Sequence, residues 1–292
     1  MSEALRFLII DGYPKESREQ FGEVGMRLAG ELYRDMLFAY LPDAEADIWL
    51  SSDDVTGAPN DATLEGYAGI LWPGCNLTIY DNDDLRVTCH LDLVERAYEA
   101  GVPSFGTCWG IQLAVVVAGG EVGPHPEGRE MGVGRKIRLT EAGRAHPMFE
   151  GKSDVFSGFV SHDDEITKLP SCATLLAGND HSEVQAVSVT YQKGTFWGLQ
   201  YHPEYDLHEM ARLICAREEK LIKLGFFRRA EDTARYVDQL ETLVKEPSRK
   251  DLRWQLGIDD DLLAPRTRQR EFINWLNTLV LPAAGRPPIE GV

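Results

Sequence analysis

The 292-residue chain has no uninterrupted apolar run of about 18 residues, so no membrane span is expected of it. It has no CxxC pair: Cys75, Cys89, Cys108, Cys172 and Cys215 are widely spaced, which fits neither a disulfide framework nor a zinc ribbon. Lys/Arg clusters interleaved with aromatics are absent, and 30 basic against 47 acidic residues give a formal charge of −17, which argues against a nucleic-acid partner. The start MSEALRFLIIDGY lacks the basic region and small-residue cleavage site of a secretory leader, and a cytoplasmic location is the expectation. Metal signatures are missing too. The four consecutive polar residues His162 to Glu165 read as a loop that cannot turn every side chain to one ion, and HPEYDLHE lacks HExxH spacing. No metal and no cofactor are expected. Internal repeats are absent, and the terminal PAAGRPPIEGV is expected to fray.

What is present is ordinary globular material, 43% hydrophobic and 26% charged. The apolar run Phe7 to Ile10 reads as a buried strand. Phe21 to Leu41 has helical spacing, and Ala46 to Leu50 reads as a second strand. Gly69 to Gly74, the helical pattern Leu85 to Ala100, the strand Val102 to Phe105 and a helix from about Cys108 continue the alternation. That order implies an open, mostly parallel α/β sheet flanked by helices. From about Arg135, short β-rich pieces (RKIRLT, DVFSGFVSH, ATLLAG, EVQAVSVTY, TFWGLQYH) predict an antiparallel or mixed extension. The last 70 or so residues are amphipathic helix patterns punctuated by Pro247, Pro265 and Pro282. The expected division is 1–224 for the α/β domain and 225–292 for a helical extension. The charges of AREEK and RKDLR read as the solvated faces of these helices.

Within this frame PSFGTCWGIQLA sets Cys108 between Gly106 and Gly110, at the end of a strand and the start of a helix. A tight strand-to-helix turn there would push the thiol out at the carboxyl edge of the sheet, where open α/β sheets bind ligands. The helix's positive end would favour the thiolate. Alone, the pattern serves a buried inert cysteine equally well. A thiol nucleophile needs a base, and the base needs an orienting acceptor. QYHPE supplies both in His202 and Glu204, held by Pro203. Taken singly, His202 fits a structural loop histidine; beside the cysteine elbow it reads as the base.

Taken together, GILWPGCNLTIYD, GTCWGIQLA, VSHDDEI and QYHPE, in that order within about Phe7 to Leu224, resemble the class I, triad-type glutamine amidotransferase family, in the manner of the glutaminase domain of GMP synthase. The resemblance implies a flavodoxin-like fold and release of ammonia from glutamine. In that scheme Cys108 forms a γ-glutamyl thioester, His202 moves the protons, and Glu204 holds the imidazole. It also implies an oxyanion hole from the backbone of Trp109 and the loop at Gly74 and Cys75, with Gln112, Ser161, His162 and Asp164 holding the amino-acid end of the substrate. Two departures stand out. Cys75 occupies a position where the family usually carries a second glycine, as a second redox thiol or as a tolerated small residue. Trp109 follows the nucleophile, either walling the pocket for an apolar leaving portion or packing against the oxyanion strand.

No GxxxxGK[ST] or SGGxDS-like phosphate loop is fused to these motifs. Three readings follow. The chain releases ammonia for a separate synthetase, or is a free-standing γ-glutamyl peptidase or amide hydrolase, or is a non-catalytic regulatory module. The expected partners are glutamine or a γ-glutamyl compound, and the helical tail reads as a docking surface, a homo-oligomer interface or a lid.

Overall fold

The computed structural model describes residues 4–290. Eleven strands follow in chain order: β1 (Arg6–Asp11), β2 (Glu45–Leu50), β3 (Gly69–Trp72), β4 (Ser104–Thr107), β5 (Glu121–Pro124), β6 (Glu130–Leu139), β7 (Val155–His162), β8 (Asp164–Lys168), β9 (Ala173–Gly178), β10 (Ala186–Tyr191) and β11 (Gly194–Leu199). Nine of them form one sheet in the order β2-β1-β3-β4-β11-β10-β9-β6-β7, and β5 pairs with β8 in a separate ribbon. The half from β2 to β11 is parallel, and the pairings from β11 outward to β7 are antiparallel. The open sheet of the sequence reading and its antiparallel extension are thus one continuous structure.

The apolar run of β1 is explained by burial on both faces. Phe7 and Ile9 enter one core cluster and Leu8 and Ile10 the other, as the two-residue strand period requires. On the first face lie helix Ala29–Tyr40 and, from the far end of the chain, helix Arg270–Trp275. On the second lie helices Leu85–Ala100 and Trp109–Val117. A third cluster joins helix Lys15–Glu23 to helices Leu207–Ala216 and Ala230–Lys245 beside the carboxyl edge of the parallel strands.

Two local expectations are corrected. The helix expected over Phe21 to Leu41 is two helices, Lys15–Glu23 and Ala29–Tyr40. Gly25 takes φ +77°, and the Met26 N–H bonds the Phe21 carbonyl at 2.9 Å, a left-handed helix stop that apolar periodicity does not register. The HDDE stretch is not a loop: His162 closes β7 and Asp164 opens β8, because β5 offers that polar segment a pairing partner. The terminal stretch expected to fray is held as far as it is described. Ile289 N–H donates to Asn277 Oδ1 at 2.8 Å and Arg266 to the Glu290 carbonyl at 2.9 Å, while Gly291 and Val292 lie outside the described residues. No helix among the described residues is long and apolar enough to cross a membrane.

Helix Arg270–Trp275 is bound to the first core face by aromatic and ionic contacts. Phe272 meets Phe105 at a ring separation of 5.4 Å, and Trp275 meets Phe7 at 6.2 Å. Beside them the almost fully buried Lys152 and Glu271 pair at 2.9 Å, and Tyr201 donates its hydroxyl to Glu271 at 2.5 Å. Trp275→Ala is therefore expected to cost about 3–5 kcal/mol in urea denaturation. A loss under about 1 kcal/mol would show that this helix is peripheral to the sheet.

Candidate active site

Adjacent parallel strands build the site. In the β4–β11 register Thr107 stands opposite Leu199, so the chain leaves the two strands side by side, into Cys108 on one and toward His202 on the other. The Cys108 N–H donates to the Leu199 carbonyl at 2.8 Å, and the His202 N–H donates to the Phe159 carbonyl of β7 at 2.7 Å. Cys108 takes φ +50°, ψ −95°, a strained conformation for a residue bearing a β-carbon, and helix Trp109–Val117 begins immediately after it. Its flanking glycines serve close approach rather than positive φ. A β-carbon at Gly106 would lie 2.8 Å from the Phe196 ring, and one at Gly110 would strike the Trp72 carbonyl.

His202 and Glu204 form a buried pair, with Nδ1 to Oε1 at 2.7 Å. The same Oε1 accepts from Thr107 Oγ1 at 3.1 Å, and Thr107 in turn accepts from the Tyr33 hydroxyl at 2.9 Å. Tyr205 stacks on the imidazole with ring centroids 4.3 Å apart and planes 6° from parallel. Burial on its own would lower the imidazole pKa. The Glu204 charge, the neighbouring Cys108 and the ring's hydrogen bond to Glu204 outweigh it and push the value up to about 9. A β-carbon at Gly74 would stand 2.8 Å from His202 Cε1 and 3.7 Å from Cys108 Sγ, so thiol and imidazole both lie against this glycine. In the resting site the thiol lies 3.8 Å from the Ser161 carbonyl. The helical tail reaches this loop as well: the buried Arg268 donates from Nε to the Pro203 carbonyl at 3.2 Å.

A cavity of about 300 Å³ opens on Cys108, and Cys75, Gln112, Ser161, His162 and Asp164 line it. Their states differ. Burial pushes the Cys75 thiol well up, which makes it a poor second nucleophile at neutral pH. Both ring nitrogens of His162 are engaged, with the Asp164 carbonyl and with Glu130, each at 2.9 Å, so its ring fixes the cavity wall. Asp164 accepts from the Tyr80 hydroxyl at 3.1 Å, and burial raises its pKa. Trp109 does not wall the cavity. Its indole is buried in the second core cluster and donates to His90 Nδ1 at 3.2 Å, leaving its backbone alone beside Cys108.

The sequence reading missed the cavity's cations. Arg129 reaches Asp163 at 2.5 Å and Ser161 at 2.6 Å, and Lys220 reaches Asp163 at 2.9 Å. Arg217 lines the same space. The AREEK stretch read as a solvated face therefore turns Arg217 and Lys220 toward Cys108. The available signal was position: the amphipathic helix directly after QYHPE ends at Ala216, so its last turn falls near the site.

Because Glu204 holds the imidazolium, Glu204→Gln is expected to leave burial as the dominant effect and drop the His202 titration from about 9 to below its ordinary value near 6.5 in an NMR pH series. The linkage has the same sign. Stability from the raised pKa is fully present below about 6.5 and is lost as pH rises through about 9. Chemical denaturation at pH 6 and 9.5 should show a smaller drop for the variant, and an unshifted titration would remove Glu204 from this role.

Residues 48–219 match the family described as Glutamine amidotransferase class-I. A gamma-glutamyl-L-1-hydroxyisopropylamide hydrolase of Pseudomonas sp. is 31% identical over 97% of this chain and 96% of its own. A glutamine-hydrolyzing GMP synthase of Nitratiruptor sp. is 31% identical over 52% of this chain, which spans 29% of that protein's length. In fold the chain is similar to a glutamine amidotransferase of Thermotoga maritima (21% identity, 86% of this chain and 99% of that one, TM-score 0.61). It is also similar to a glutamine amido transferase of Methylobacillus flagellatus (19% identity, 96% of each chain, TM-score 0.64).

Proposed function

Since the chain belongs to the class I glutamine amidotransferase family and is a hydrolase of that type, we propose that it cleaves the side-chain amide of glutamine or another γ-glutamyl compound through a thioester on Cys108. The observation that carries this reading is that the buried His202–Glu204 pair and the strained Cys108 both lie against Gly74. Cys108 Sγ attacks the amide carbon. His202 takes the thiol proton and delivers it to the leaving nitrogen, then deprotonates the water that cleaves the thioester. Glu204, fixed by Thr107 and Tyr33, holds the imidazole and balances its charge in both halves. Negative charge on the carbonyl oxygen falls to backbone N–H groups of Trp109 and of the Gly74–Cys75 loop. Gln112, Ser161 and Asp164 take the amino-acid end, with His162 holding the wall from which Ser161 and Asp164 project.

Water is the favoured acceptor, because the relative covered along nearly its whole length is named as a hydrolase. Delivery of ammonia to a separate synthetase is the second reading. It rests on the likeness to GMP synthases, of which the matched part is under a third.

Cys108→Ala is expected to lower glutamate release from L-glutamine and from a γ-glutamyl alkylamide by at least about 10³-fold. Intact-protein mass spectrometry of the wild type should trap a glutamyl adduct that the variant lacks. Hydrolysis surviving the substitution would overturn the thioester mechanism.

A further inference from the structure

The cavity at Cys108 does not end at the space a glutamyl group would fill. Asn76, Arg217 and Lys220 also line a second groove, of about 690 Å³, between helix Lys15–Glu23 and the segment from Cys215 to Lys223. Gln20, Phe21 and Val24 contribute to one side and Ala216 and Lys223 to the other. Ammonia leaving from glutamine would need none of this room. A leaving amine with a body of its own would occupy it.

The groove adjoins the cavity at Asn76, Arg217 and Lys220. The Arg217 charge is felt at the phenols of Tyr13 and Tyr205, and Tyr205 is the ring stacked on His202. Tyr13 lines the cavity together with Arg217 and Cys108, so the guanidinium stands where the cavity meets the groove. Its charge is uncompensated there. Arg129 and Lys220 share Asp163 as their carboxylate, whereas Arg217 has no carboxylate within ion-pairing distance among the described residues, and its buried Nε has no hydrogen-bond partner. Glu23, Glu218 and Glu219 line the groove but not the cavity. A partly buried guanidinium left unpaired is costly, and a planar carboxylate is the group its fork fits best.

Resting on the γ-glutamyl thioester reading above, we propose that the substrates are γ-glutamyl amides whose leaving amine carries a carboxylate, γ-glutamyl amino acids or peptides, and that Arg217 binds that carboxylate at the junction of cavity and groove. The step balances without another reactant. The amide C–N bond breaks as the C–S bond forms, and the thiol proton leaves on the amino acid. Water then replaces sulfur to give glutamate and restores the thiol.

The test measures kcat/KM for γ-glutamyl-L-alanine, γ-glutamyl-ethylamide and L-glutamine, with wild type, Arg217→Gln and Arg217→Lys. The wild type is expected to favour γ-glutamyl-L-alanine over the ethylamide by on the order of 10- to 100-fold. Arg217→Gln should collapse that ratio, and Arg217→Lys should restore it in part. Equal turnover of acid and neutral amide by the wild type would overturn the proposal. So would an equal loss on all three substrates in Arg217→Gln, which would place Arg217 on the glutamyl carboxylate. Hydrolysis of none of the three by the wild type would instead sink the thioester reading beneath it.

Discussion

One hydrogen bond, from the Cys108 N–H to the Leu199 carbonyl, sets the geometry on which the site depends. In free-energy terms such a bond contributes only about 1 kcal/mol. Its importance is positional. It extends the parallel pairing of β4 and β11 past the last strand residue and fixes where the thiol leaves the sheet. On the other side, the bond from His202 to Phe159 ties the imidazole loop to β7. A backbone with φ +50° at a residue bearing a β-carbon costs on the order of 1–3 kcal/mol, and it persists because strands on both sides leave it no alternative.

The electrostatics follow from that placement. A lone carboxylate as deeply buried as Glu204 would cost several kcal/mol, and a lone buried imidazolium as much again. Each offsets the other. The Thr107 hydroxyl, itself held by Tyr33, completes the solvation of one carboxylate oxygen, while Oε2 has no hydrogen-bond partner. The pair is thus well oriented and incompletely solvated.

Much of this was legible in the sequence for physical reasons. Strands buried on both faces are apolar runs, so β1 and β3 could be read from RFLIID and GILW. The cysteine and histidine motifs mark strand ends, and strand ends share one edge of a parallel sheet. The break at Gly25 was hidden because helical periodicity continues across a left-handed stop. Trp109 was ambiguous because one residue cannot tell which way a turn directs its indole, and His90, its partner, lies on another helix. Arg217 was misread because a charge on an amphipathic helix pattern looks alike whether it meets bulk water or the cavity at Cys108.

The contact from Arg268 to the Pro203 carbonyl ties the histidine loop to a residue near the far end of the chain. During synthesis, which proceeds from the amino terminus, the sheet strands and the thiol at Cys108 emerge well before Arg268 does. The imidazole loop can receive this contact only after Arg268 has been made. A nascent chain therefore carries Cys108 and His202 before the contact that Arg268 adds to the Pro203 loop can form.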